Sequence, residues 1–173
     1  MRGPILYGEF DLTVDDKNRL LVPAEVRRAI NPDLHGDAFF LVIGSNRKLW
    51  FYPEHYYEEL VATSPNDLVP GEDQLAYDQL KFAMVSRVER DAQGRMVLPE
   101  RALRRTCAGR EVTLIGARDH LELWNRSEWN RQFEDLFQRS TEIEQRVRAS
   151  KANGQSGSGQ SGSSKADNSI SSR

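Results

Sequence analysis

Hydrophobic and polar positions along the chain fall into short β-rich runs separated by turn residues, and one order of runs occurs twice. A strand is expected up to Asp15, then a two-residue hairpin turn at Lys17-Asn18 and a second strand from Arg19 to Val22. Asn is expected in this turn because it tolerates the positive φ of a tight hairpin. Pro23 cannot extend a ladder but suits the first turn of a helix, so a short helix is expected over Ala24 to Ile30. A second hairpin follows, Ala38 to Ile43 with Lys48 to Tyr52, its turn begun by Gly44. A helix over Glu54 to Ala62 closes the unit. The second unit repeats this order: strand to Asp91, turn at Gln93-Gly94, strand Arg95 to Leu98, Pro99, and helix Glu100 to Thr106. Its hairpin is Glu111 to Ile115 with Leu121 to Trp124, and its closing helix starts near Ser127. Trp129, Phe133, Leu136, Phe137, Ile143 and Val147 fall on one face of that last helix, which is expected to be the longest.

The two units also match residue by residue. DDKNRLLVPAEVRRAI begins at Asp15, and DAQGRMVLPERALRRT begins 76 residues later at Asp91. Further on, Val42-Ile43-Gly44 matches Leu114-Ile115-Gly116, and Leu49 to Tyr52 matches Leu121 to Trp124, with the spacing now 72. One four-residue deletion accounts for the change, and the chain reads as an internal duplication. The expected organisation is a first repeat over 1–63, a linker and helix over 64–82, a second repeat over 83–148, and a Gly/Ser-rich tail over 149–173. The tail has no aromatic residue and too little apolar surface to fold, so disorder is expected there.

Composition narrows the function classes. The chain has 173 residues, 38% of them hydrophobic, and a formal net charge of -2. Nucleic-acid binding through a general positive excess is therefore excluded; Lys and Arg would have to be focused on one face. No run is apolar for long enough to cross a bilayer, and none follows Met1-Arg2-Gly3-Pro4 as in a signal peptide, so no membrane partner is expected. The single Cys107 offers no internal disulfide, and a cytoplasmic setting is expected. His35, His55 and His120 share no ligand spacing with Cys107, so no metal and no cofactor are expected. P-loop, dinucleotide-binding and nucleophile-elbow motifs are absent, and neither enzymatic activity nor a small-molecule substrate is expected.

The candidate chemistry sits at the repeated turns. Asp15 and Asp91 are expected to accept turn N–H bonds and to orient Arg19 and Arg95, because a carboxylate facing phosphate would be repelled. Arg19 and Arg95 place planar forks of donors at hairpin tips, suited to phosphate oxygens or a guanine edge. The turn residues beside them complete the candidate DNA-binding set: Lys17 offers a phosphate contact, Asn18 and Gln93 could hydrogen-bond to bases or backbone, and Gly94 shares the second tip. Arg27-Arg28 and Arg104-Arg105 could also contact phosphate, but solvated helix faces are the expectation for them. Trp50, Phe51, Tyr52, Tyr56 and Tyr57 are expected in a core or interface, with base stacking by exposed aromatics as the competing use.

The doubled Asp-x-x-x-Arg with Pro four residues on, the Phe10-Asp11 entry and the Leu49-Trp50 pair ahead of the closing helix resemble the MraZ family over residues 1 to about 145. The resemblance implies an α+β fold: two pseudo-symmetric AbrB-like swapped-hairpin repeats around a β-barrel-like core with flanking helices. It also implies a regulator, on balance a repressor, of the bacterial division and cell wall gene cluster. Such a protein would act at the nucleoid as a homo-oligomeric ring on repeated double-stranded promoter sites. One position departs from the pattern: Asn18 stands where the family has Gly before the Arg, as Gly94 does before Arg95. Two other uses of such a chain stay open, a protein-interaction module of the AbrB antitoxin type and an RNA or single-strand binder.

Overall fold

The computed structural model describes residues 3–65 and 68–156. Residues up to Asn130 form one compact unit, and those from Arg131 a second. In chain order the first copy and the segment after it run β1 (Glu9–Thr13), β2 (Arg19–Leu21), α1 (Ala24–Ala29), α2 (Pro32–His35), β3 (Ala38–Ile43), β4 (Leu49–Pro53), α3 (Glu54–Thr63) and α4 (Glu72–Phe82). The second copy follows as β5 (Ser86–Glu89), β6 (Arg95–Val97), α5 (Glu100–Thr106), β7 (Glu111–Gly116) and β8 (Leu121–Asn125), with α6 (Arg126–Gln138) and α7 (Ser140–Ser156) after it.

The copies trade strands. The larger sheet has the order β1-β7-β8-β4-β3-β5, so the first strand of each copy pairs with the long hairpin of the other. β2 and β6 pair separately as a two-stranded antiparallel ribbon. Two registers locate an approximate two-fold axis. Leu20 faces Met96 in the ribbon, and Trp50 faces Glu122 between β4 and β8. In each pair the partners are counterparts in the duplicated sequence, so both pairs lie on the axis.

The core lies between the ribbon and the sheet. Leu20 and Met96 point inward and are fully buried with Phe39, Leu41, Leu49, Phe51, Leu114, Leu121 and Leu123. Removal of this much apolar surface from water is what holds the interlocked strands together. The β-barrel-like core expected from the resemblance is not a closed barrel. The strands of the ribbon are three residues long and meet the sheet edges mainly at the hairpin turns, too short a run to carry a continuous ladder around.

Three local expectations are corrected. The turn has three residues, not two: Asp15 N–H donates to the Arg19 carbonyl, Asn18 N–H donates back to Asp15, and only Asn18 is left-handed (φ 57°). Gly94 (φ 78°) repeats this within Asp91 to Arg95. It is a type I turn closed by a left-handed residue, the three-residue hairpin loop. Secondly, a one-turn helix, α2, intervenes before β3, its start capped by the Asn31 side chain accepting from Asp33 N–H at 3.0 Å. Thirdly, the long final helix is interrupted: α6 ends at Gln138 and α7 begins at Ser140. Ser competes for backbone hydrogen bonds and favours helix starts, which suits a break there. α7 continues through Ser156, past Lys151 where the composition turns Gly/Ser-rich; the rest of the expected disordered tail lies outside the described residues.

Candidate nucleic-acid interface

Strand alternation decides what the ribbon shows to solvent. With Leu20 and Met96 inward, Arg19, Leu21, Arg95 and Val97 face outward. Leu21 and Val97 are 49% and 58% exposed, a large exposure for aliphatic strand residues. Cross-strand pairing sets Arg19 beside Val97 and Arg95 beside Leu21, so each apolar side chain is flanked by a guanidinium.

Each arginine is clamped by its own turn. Asp15 Oδ1 accepts N–H bonds from Lys17 and Arg19, both at 2.9 Å, and Oδ2 accepts from Arg19 Nε at 2.7 Å. Asp91 does the same with Gln93 N–H, Arg95 N–H and Arg95 Nε, each at 2.9 Å. The N–H of Arg19 is the largest influence holding the Asp15 carboxyl below its ordinary value, and the N–H of Arg95 plays that part for Asp91. Both carboxylates therefore stay charged. The Nε donors are consumed, while the Nη groups of Arg19 and Arg95 have no partner among the described residues. Each guanidinium is thus half immobilised, on a side chain that is still 30% exposed. A donor fork held this way loses little entropy when it meets an acceptor.

The tips also lock each other. Leu98 N–H donates to the Asn18 carbonyl at 2.8 Å, and Val22 N–H donates to the Gly94 carbonyl at 2.9 Å. The structure thus brings Lys17, Asn18 and Arg19 from one copy and Gln93, Gly94 and Arg95 from the other to the two ends of one short ribbon. Asp16 is ion-paired with Arg110 of the other copy and is neutralised by it.

One cation at this surface, Arg27, was expected rather on a solvated helix face. Arg27, on α1 of the first copy, lies across the turn of the second: a Cβ built on Gly94 would meet Arg27 Cδ at 3.0 Å. Arg27, Asp91, Ala92 and Gly94 line one cleft at this tip. Arg27 makes no ion pair among the described residues. Its position depends on the exchange of strands, which no local pattern announces; the one sequence signal was Gly94 itself, the residue type that admits close approach. Arg28 instead pairs with Glu25 at 3.7 Å on the helix surface.

Trp50 and Tyr52 lie on the opposite face of the sheet, while Phe51 between them points into the core. Phe51 is fully buried, and Trp50 and Tyr52 are half-buried with their rings stacked on His120 at 4.3 and 5.0 Å. His120 Nδ1 lies 2.7 Å from Asp119 Oδ1 and its Nε2 3.4 Å from Glu122 Oε1. Burial alone would lower the His120 pKa, but bonds to Glu122 and Asp119 outweigh it and the pKa is raised. Lys48, the counterpart of His120, lies 4.7 Å over the Trp124 ring, and Trp124 is the counterpart of Tyr52. Both copies therefore place a basic side chain over a ring across the seam, Lys48 as a cation over Trp124 and His120 as a stacked imidazole. Among the described residues no helix is long and apolar enough to cross a membrane.

The family model described as "MraZ protein, putative antitoxin-like" matches residues 5–75 and 82–151, once per copy. Relatives bearing the name Transcriptional regulator MraZ include that of Thermomicrobium roseum, 31% identical over 83% of this chain and 97% of its own length. Those of Neisseria meningitidis and Desulforamulus reducens are 33% and 30% identical, over 70% and 73% of this chain and 81% and 86% of theirs.

Proposed function

The chain belongs to the MraZ family, and from that premise we propose that it is a sequence-specific, double-stranded-DNA-binding transcriptional regulator. It acts without enzymatic chemistry, at the nucleoid, as a repressor of the division and cell wall gene cluster. The observation that carries the reading is the duplicated clamp: two arginines, each fixed through Nε by its own Asp, at opposite ends of one outward-facing ribbon. A two-stranded ribbon fits the major groove, where Nη donors meet phosphate oxygens or guanine O6 and N7. Leu21 and Val97 supply apolar contact for thymine methyl groups between them. Lys17 and Arg27 add phosphate contacts beside the two tips, and Asn18 and Gln93 add hydrogen-bonding groups.

A net charge of -2 is compatible with this because the acidic residues at the tips are spent on arginines. Two tips alone give modest affinity. A homo-oligomeric ring of such units on repeated promoter sites multiplies it, since each added contact is intramolecular once the first has formed. α3 and α4 contain no buried residue, and Leu60, Leu75, Tyr77 and Phe82 stay exposed on them, a surface that neighbouring copies in a ring would cover. Occlusion of the promoter by the ring then represses transcription.

The test is a mobility shift on DNA from the protein's own upstream region, with a shuffled control, at two salt concentrations. Specific binding that weakens with salt and with respacing of the repeats is expected. The double variant R19A/R95A is expected to lose it while keeping the oligomeric state of the parent. Binding by the double variant equal to the parent's would remove the tips from the mechanism. Equal affinity for the shuffled control would shift the function to a protein partner of the antitoxin type.

A further inference from the structure

A second cationic feature lies away from the ribbon and takes no part in the reading above. The turn between β3 and β4, the end of α4 and the end of α5 enclose a cavity of about 620 Å³. Every charged side chain lining it is a cation: Arg47 from the turn, Lys81 from α4, and Arg104 and Arg105 from α5. Ile43, Leu80 and Met84 give it an apolar wall.

The grouping of these cations around one cavity, with no carboxylate among its lining residues, distinguishes them. Several arginines elsewhere are clamped: Arg19, Arg87, Arg90, Arg95, Arg110 and Arg126 each meet a carboxylate. Arg47, Arg104 and Arg105 make no ion pair among the described residues, and the contact recorded for the Lys81 ammonium is the ring of Tyr77 at 5.5 Å. Lys81, Arg104 and Arg105 fall in the last turns of their helices, where the carbonyl ends favour positive charge and offset some of their mutual repulsion. Arg47 has no such support. It holds a left-handed backbone (φ 60°), a place where Gly or Asn is the unstrained choice. Cys107, on the same cavity wall, is also left-handed (φ 51°). Strained backbone beside unpaired, convergent charge is the arrangement of a ligand clamp.

We infer that this cavity binds a small ligand carrying a diphosphate group beside an apolar or aromatic body, as in a nucleoside diphosphate. The guanidinium groups of Arg47, Arg104 and Arg105 and the Lys81 ammonium match several phosphate charges, and planar forks engage phosphate oxygens in pairs. Ile43, Leu80 and Met84 receive the uncharged part. The cavity size falls within the range of small-molecule sites, and its concavity favours a free ligand over the phosphates of a duplex. Because the cavity draws on both copies and on α4 between them, its occupant would bear on how these segments are held, and so act as an effector.

Cys107 is the single cysteine of the chain, is exposed, and lines the cavity, so its alkylation rate reports occupancy. The experiment follows N-ethylmaleimide labelling of the full-length protein with inorganic pyrophosphate, ADP, or sodium chloride at matched ionic strength. Saturable protection by pyrophosphate and ADP, absent with the salt, is expected. Arg47→Gly suits the left-handed backbone and removes only the charged side chain. It should keep or raise the melting temperature while weakening protection about tenfold. Arg104→Gln with Arg105→Gln should abolish protection with the fold intact by circular dichroism. No saturable protection of the parent, or equal protection in all three proteins, overturns the assignment. Protection by an upstream DNA duplex and not by pyrophosphate or ADP also overturns it, and would assign the cavity to the DNA backbone. None of these outcomes depends on Arg19 or Arg95, so a failure here is separate from a failure of the ribbon reading.

Discussion

The two hairpin tips carry the same clamp and differ in what surrounds it. Asp15 and Asp91 accept the same three bonds, two of them from Arg19 and Arg95, and the two arginines are equally exposed. Gly94 in the second tip leaves room for Arg27, which crosses over from the first copy. In the first tip Asn18 takes the left-handed position, and the counterpart of Arg27 is Leu103, partly buried against the core. Duplication thus preserved the group held by each turn and let its neighbours diverge. A protein with a pseudo-two-fold ribbon need not read a symmetric site: its first tip carries a cation in the turn itself, Lys17, where the second has Gln93 and instead receives Arg27 from the other copy.

The largest effect should come from removing both clamped arginines. R19A/R95A is expected to weaken specific binding by about a hundredfold or more, because two contacts are lost in every copy of a multivalent assembly. Each single variant should cost about tenfold, with R95A the costlier if Arg27 acts together with Arg95. Equal losses, measured by titration on the same duplex, would mean that the tips are equivalent and that Arg27 is a bystander.

Next in size is the axis itself. Leu20→Ala removes a fully buried side chain opposite Met96 and should destabilise the fold by about 2–5 kcal/mol, measured by denaturant unfolding. Both tips hang on this pair and exchange backbone bonds across it, so DNA affinity should fall for both halves of a site together. A variant that lost contact with one half-site alone would show that the tips are held independently.

The clamps were legible in the sequence because they are local. Asp, turn, left-handed residue and Arg lie within five positions, and their repetition at a fixed spacing separates them from chance. The hairpins and short helices after Pro23 and Pro99 were legible for the same reason. The exchange of strands was implied only through the resemblance to swapped-hairpin repeats, and the particular contacts it creates were hidden. Residue order alone does not state that β1 pairs with β7 and β5 with β3, so it could not bring Arg27 to Gly94 or Arg110 to Asp16. The length of the turn was misjudged because Asn18 and Gly94 suit a two-residue and a three-residue loop equally well; the bond from Asp15 N–H to the Arg19 carbonyl selects the longer one. The cationic cavity gathers one turn and two helix ends that are far apart in sequence, and its only local trace is Arg47 two residues after a Ser in a turn.

A smaller effect separates the two turns by their backbones. Gly94→Ala puts a side chain at φ 78° and against Arg27, and should destabilise by about 1 kcal/mol or more and displace that arginine. Asn18→Gly relaxes the corresponding residue at φ 57° and should change stability by only a few tenths of a kcal/mol. Thermal unfolding of the two variants side by side checks the contrast, and equal shifts would mean that the space beside Gly94 is not what the second tip depends on.

The smallest effect concerns pH and contrasts the tips with the seam on the opposite face. Asp15 and Asp91 are lowered, so their stabilising bonds are complete above the ordinary carboxylate value and are lost only as the pH falls through the lowered one. His120 is shifted the other way. Its raised pKa means that the stabilisation from imidazolium pairing is complete below the unfolded value of 6.5 and is lost as the pH rises through the folded value. Loss of that proton leaves Asp119 and Glu122 without the charge between them, beneath the Trp50 and Tyr52 rings that join the copies. The melting temperature is therefore expected to decline modestly from about pH 6 toward pH 9, far above any titration of the clamps. His120→Gln should flatten this alkaline limb and leave the acid limb, which the carboxylates govern, unchanged. If the alkaline decline persisted in the variant, a group other than His120 would govern it, and the seam would owe its stability to the packed rings and to Lys48 over Trp124.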